Sequence, residues 1–165
     1  IDESGSTSGG KNEWAKAITI ALMDITMRNK QDFAVIHFST DIDINEVSAK
    51  NLDTDTIIRI AEHFMGGGTN FEKPLEKAYE LLQQDKYKGA DIVFITDGEC
   101  GVREEFLKAF NEMKKKKKIK VIGVLLDKGE GNVSDYTLKR FTDKIFKTSE
   151  MAEDNIAISI IKSAV

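Results

Sequence analysis

Cysteine, proline and histidine are scarce in this chain: one Cys, one Pro and two His among 165 residues. With Cys100 alone, no intrachain disulfide can form and no cysteine-rich zinc pattern exists. A lone thiol survives best in a reducing compartment, so the cytoplasm is the expected location. No apolar run reaches the length of a transmembrane helix, and no secretory leader is visible. Positive charge is not in excess either: 24 Lys and Arg against 28 Asp and Glu give −4. That balance argues against a general nucleic-acid or membrane-surface binder. An initiator methionine is missing as well. The opening Ile1-Asp2 reads as the tail of a strand, so the chain is expected to be an excised part of a longer polypeptide that lacks most of its first strand.

What remains is an ordinary globular composition, of a length that suits a single domain over 1–165. Apolar periods alternate along it. Lys11 to Met27 has helical spacing at Trp14, Ala17, Ile18, Ala21, Leu22 and Ile25. Phe33 to Phe38 is nearly continuous and apolar, as in a sheet covered on both faces. Asp41 to Val47 alternates and predicts an antiparallel edge strand joined to it by a hairpin. Helices are expected over Thr54–Phe64 and Phe71–Gln84, with Pro74 in a first turn where its missing N–H does little harm. Strand, helix and strand follow at Asp91–Thr96, Arg103–Lys117 and Ile119–Leu126. A short helix at Tyr136–Phe141, a weak strand at Lys144–Thr148 and a helix over Glu150–Ala164 close the chain. The expectation is an α/β doubly wound, mostly parallel six-stranded sheet, with helices on both faces and one antiparallel edge strand.

Such sheets carry their sites beyond the carboxyl ends of central strands. Three segments there offer the same chemistry. Asp2-Glu3-Ser4-Gly5-Ser6 sets a carboxylate and two hydroxyls at alternate positions. Gly66-Gly67-Gly68-Thr69-Asn70 carries a hydroxyl on a flexible loop, and Ile95-Thr96-Asp97-Gly98-Glu99 ends a strand in a carboxylate. Oxygen-only donors suit a hard divalent cation, Mg²⁺ or Mn²⁺, which keeps several waters. Two carboxylates and three neutral hydroxyls leave the ion about balanced, so an acidic group from outside can complete its shell.

Asp2, Ser4, Ser6, Thr69 and Asp97, in that order and spacing, resemble the metal-ion-dependent adhesion site of von Willebrand factor type A domains. The Phe38-Ser39 strand end, the Gly-Gly-Gly-Thr loop and the Thr-Asp-Gly-Glu segment add to the likeness, which points to the intracellular bacterial branch. The resemblance implies a protein-binding module, not an enzyme. Ser4 and Ser6 would bind the metal directly, and Thr69, Asp2 and Asp97 directly or through water. A partner protein would supply a carboxylate, and in some members that partner system includes a MoxR-type AAA+ ATPase. Because three glycines precede Thr69, its loop is expected to move toward the metal when the partner arrives, while Asp97 retreats behind water. Glu99 and Ser39 are expected to support the ligands.

A rival lies in the same loop. Gly5 to Lys11 matches the phosphate-binding G-x-x-x-x-G-K pattern, but Asn12 stands where a hydroxyl must hold Mg²⁺. A nucleotide-binding reading also leaves Asp2, Ser4 and Thr69 without a role. No Ser–His–Asp constellation forms, since His37 and His63 fall in a strand and a helix and read as core or surface imidazoles. The lysine run Lys114–Lys118 reads as a solvated last turn of a helix. Cys100 reads as an incidental thiol bordering the crevice.

Overall fold

The computed structural model describes residues 1–51, 53–127, 133–150 and 156–164. The described residues form five strands: β1 Phe33–Phe38, β2 Ile42–Val47, β3 Ile92–Thr96, β4 Val121–Leu125 and β5 Lys144–Lys147. Six α-helices accompany them among the described residues: α1 Gly10–Arg28, α2 Thr54–Glu62, α3 Glu72–Leu81, α4 Glu104–Lys117, α5 Tyr136–Lys139 and α6 Ile156–Ala164. β1 and β2 form an antiparallel hairpin, while β3, β4 and β5 pair in parallel in that order. Part of the predicted closing helix, residues 151–155, lies outside the described residues.

The six-stranded sheet is corrected to two smaller sheets that meet at residues 1–3. Phe38 N–H donates to Ile1 O at 3.0 Å, Glu3 N–H to Phe38 O at 2.8 Å, and Asp2 N–H to Ile95 O at 2.8 Å. Asp2 thus forms a single parallel bridge with Phe38. One bridge is too short a ladder for a strand, although it occupies the place between β1 and β3 where one would run. Beneath it an apolar cleft of about 880 Å³ opens, lined by Val35, Ile36, Val93, Phe94, Leu75 and Leu22 among others.

Alternation along the strands explains the layers. Val35, Ile95, Ile122 and Val124 pack with Ala15, Ile18, Leu22 and Met23 of α1, Ile60 of α2 and Ile160 of α6. Phe38, Phe94, Val121 and Leu125 turn the other way, toward Leu75 of α3, Leu107 and Phe110 of α4, and Leu138 of α5. Helices therefore cover both faces. On the second face Phe71 meets Phe94 edge-on at 4.9 Å, and Phe94 meets Phe141 at 5.2 Å. Phe71 is fully buried and fastens the chain just after the Gly66–Asn70 loop.

The lysine run is only partly solvated. Lys114 is buried and donates to Phe141 O and Asp143 Oδ1, both at 2.9 Å. Lys118 takes a left-handed conformation (φ 57°) that ends α4.

Candidate metal centre

The Asp2–Ser6 loop leaves the sheet at its seam and turns at once into a 3₁₀ turn, Gly5–Thr7. Thr7 locks that turn twice, donating its N–H (3.1 Å) and its hydroxyl (2.7 Å) to Ser4 O. Asp2 is buried, and both its oxygens accept: Oδ1 from Ser4 N–H at 3.0 Å, Oδ2 from the Thr96 hydroxyl at 2.6 Å. Ser4 Oγ lies 3.1 Å from Ser6 Oγ, and Ser6 Oγ donates to Asp97 Oδ1 at 3.0 Å. Residues 95 positions apart in sequence thus deliver a chain of oxygens to one crevice.

These spacings bear on what could bind. Metal–oxygen bonds of 2.0–2.1 Å set the edge of a Mg²⁺ octahedron at about 3 Å. The Ser4–Ser6 and Ser6–Asp97 separations match that edge. Burial pushes the Asp2 carboxyl pKa up; hydrogen bonds from Thr96 and Ser4 oppose this, and the charge of Asp97 adds to it. A bound cation relieves both upward influences. At Asp97 a protein cation already stands by: Lys11 Nζ lies 2.8 Å from Oδ2. The lysine of the phosphate-loop pattern is therefore committed to a carboxylate.

The residues around Thr69 lace its loop to the crevice through their backbone. Gly66 N–H donates to Glu3 O at 2.8 Å, Gly5 N–H to Gly67 O at 2.9 Å, and Asn70 N–H to Ser39 O at 2.8 Å. Positive φ at Gly66 (68°) and Gly67 (85°) permits this close lacing. A loop tied on both sides of Gly68 and Thr69 does not swing as a whole, which narrows the expected movement to rotation at those two residues. Among the described residues the Thr69 hydroxyl makes no hydrogen bond to the other four candidates. Its carbonyl accepts from Cys100 Sγ at 3.3 Å, and burial pushes that thiol's pKa up. Ser39 supports the loop with its carbonyl, whereas Glu99 turns away to accept Thr137 N–H.

A second cluster sits beneath the loop, and sequence reasoning missed it. Glu3, fully buried, ion-pairs with Lys16 and accepts from His37 Nδ1 at 2.6 Å and His63 Nδ1 at 2.5 Å. His37 and His63 are therefore not isolated imidazoles: their rings lie 4.1 Å apart. One signal was legible. Lys16 shares the core-facing side of α1 with Thr19 and Met23, where a charge needs a partner.

Comparison with known proteins agrees with this architecture. The von Willebrand factor type A domain family matches residues 1–99, more than half of the chain. The uncharacterised protein MJ0077 of Methanocaldococcus jannaschii is 42% identical over 127 residues, covering 77% of this chain and 31% of that protein. Regulatory protein ViaA of Edwardsiella ictaluri is 35% identical over 97 residues, covering 59% of this chain and 20% of its own length. The chain spans a third or less of these relatives. A von Willebrand factor type A structure from Catenulispora acidiphila superposes with a TM-score of 0.67 over 99% of this chain and 40% of that one, at 14% identity, which speaks to the fold. No helix among the described residues is long and apolar enough to cross a membrane.

Proposed function

We propose that this chain, which belongs to the von Willebrand factor type A domain family, is a metal-dependent protein-binding module and not an enzyme. Mg²⁺ or Mn²⁺ held by Asp2, Ser4, Ser6, Thr69 and Asp97 would capture a carboxylate of a protein partner. The observation that carries this reading is the chain of oxygens Ser4–Ser6–Asp97, spaced about 3 Å apart beside a buried Asp2. When bound, the ion supplies an electrophilic point for that carboxylate. The chain's own work is to fix the hydroxyls with the Thr7 lock, to orient Asp2 with Thr96 and Ser4, and to present the site at an open strand end. A MoxR-type AAA+ ATPase is the partner system we favour, in keeping with the regulatory label of ViaA. Capture of an acidic partner peptide in Mg²⁺, released by EDTA, tests the reading. Equal retention in both buffers would overturn it.

Thr69→Ala is expected to weaken partner binding by more than it weakens Mn²⁺ binding. Its hydroxyl has no hydrogen-bond partner among the other candidates here, so it contributes mainly once the shell rearranges around a carboxylate. A ligand shifts such an equilibrium only through its different affinity for the two states. Affinities for Mn²⁺ alone and for the partner in saturating Mn²⁺ decide the matter. A fall by the same factor in both would make Thr69 an ordinary static ligand.

Lys11→Ala is expected to tighten Mn²⁺ binding about threefold to fivefold. The Lys11–Asp97 pair is partly exposed, so losing it costs ~1 kcal/mol or less, and that competition disappears with the ammonium. Calorimetric titration reads the change. A loosened metal, or a labelled nucleotide that binds the wild type and not the variant, would favour the phosphate-loop reading instead.

A further inference from the structure

We propose that Glu3, His37 and His63 form a second metal site, for a borderline-soft divalent ion such as Zn²⁺, separate from the all-oxygen crevice. The three side chains come from the Asp2–Ser6 loop, from β1 and from the residue that caps α2. Each offers one ligand atom, and those atoms lie within 4.8 Å of one another. A His₂Glu set with an open fourth position is a zinc ligand set, and it differs in kind from the hydroxyl-rich site above it.

The surroundings of the two imidazoles strengthen the assignment. Metal-binding histidines are usually oriented by a partner at the other ring nitrogen. Both have one: His63 Nε2 lies 3.0 Å from Asp43 Oδ2, and His37 Nε2 lies 3.0 Å from the Asn45 side-chain amide. The Asp43 contact leaves His63 Nδ1 directed at Glu3, which is also where His37 directs its Nδ1. To bind a metal, His63 must present an unprotonated Nδ1, with its Nε2–H facing Asp43. The proton of His37 passes from Nδ1 to Nε2, and Asn45 turns its amide so that oxygen accepts it.

The site must open slightly to load. Bonds of 2.0–2.2 Å place tetrahedral ligand atoms about 3.3–3.5 Å apart, against the present 2.5 and 2.6 Å hydrogen bonds. His37 is fixed in the sheet and fully buried. His63 is 23% exposed at a helix end, so it can give way and also provides the entry path. Lys16 pairs with the same carboxylate and its Nζ lies 3.4 Å from His37 Nδ1, so an entering metal competes with this ammonium for both ligands.

Co²⁺ serves as the probe, because tetrahedral nitrogen and oxygen ligation gives strong visible bands that octahedral oxygen does not. With excess Mg²⁺ present to fill the crevice, the wild type should develop these bands and lose them to one equivalent of Zn²⁺. Asp97→Asn should leave the bands and the Zn²⁺ affinity unchanged. His63→Ala and His37→Gln, checked for folding by circular dichroism, should weaken Zn²⁺ by on the order of 10–100-fold. His63→Ala alone decides if the buried variant fails to fold. Absence of the bands in the wild type, their survival in His63→Ala, or their loss in Asp97→Asn overturns the assignment. The last outcome would place the cobalt in the oxygen crevice instead.

Discussion

Asp2→Ala should show no resolvable Mn²⁺ heat at concentrations that saturate the wild type, a loss of affinity on the order of 100-fold. Losing a residue that merely orients a metal ligand already costs 10–100-fold, and Asp2 is both a candidate ligand and the anchor of the loop. Its carboxylate fixes Ser4 through the backbone and accepts the Thr96 hydroxyl, so the alanine variant removes one donor and loosens another. Asp2→Asn separates the two effects, since the amide keeps the shape and one acceptor while giving up the charge. It should retain fold and melting temperature yet bind Mn²⁺ weakly. Heats equal to the wild type from both variants would remove the oxygen crevice from consideration. The backbone bond from Asp2 to Ile95 survives either change, so a folded protein is expected.

Glu3→Ala should be the most destabilising single substitution near the site. It would strand the Lys16 ammonium, whose side chain is 6% exposed, with no carboxylate beside it. Breaking a buried pair from one side costs about 3–5 kcal/mol. For a domain of this size that lowers the melting temperature by roughly 6–20 °C. Converting both partners, Glu3→Leu with Lys16→Met, should recover part of the loss, because a well-packed apolar pair often replaces an ion pair at little cost. Acid sensitivity supplies a further signature in metal-free protein. Burial opposes the Glu3 charge, but hydrogen bonds from His37, Lys16 and His63 prevail and hold its pKa down to about 2, against an ordinary 4.5. A carboxyl depressed in the folded state stabilises fully above its unfolded pKa, and that increment fades as pH falls from about 4.5 toward 2. Glu3→Ala should lack this fading segment of the stability curve. A loss below ~1 kcal/mol, or an unchanged acid limb, would show that the cluster contributes little.

Much of the fold was legible because burial imposes a period. The apolar run Phe33–Phe38 and the alternation after Asp41 gave β1 and β2 nearly to the residue. Pro74 does sit in the first turn of α3. The oxygen donors Asp2, Ser4, Ser6 and Asp97 were legible as well, since they fall at strand ends that a parallel sheet brings side by side. The sixth strand was read from its tail, Ile1-Asp2, but it shrinks to one bridge to Phe38, 36 residues away, and a hydrogen bond to Ile95, 93 residues away. The partners of Glu3 were not legible. His37 and His63 lie 34 and 60 residues off, and no local period ties a carboxylate to them. Glycine in sequence signals conformational licence ahead of Thr69, and no local pattern shows that Gly66 and Gly67 also make backbone hydrogen bonds to Glu3 and Gly5.

The seam at residues 1–3 has a mechanical consequence. A pull exerted through the crevice would enter the chain largely at the Asp2–Ser6 loop, which carries three of the five candidate ligands. From there backbone hydrogen bonds pass it to Phe38 on one side and Ile95 on the other at the same moment. Tension is divided between the hairpin and the three-stranded parallel sheet instead of peeling an edge strand from its neighbour. A tether seated at this point loads the domain through its middle.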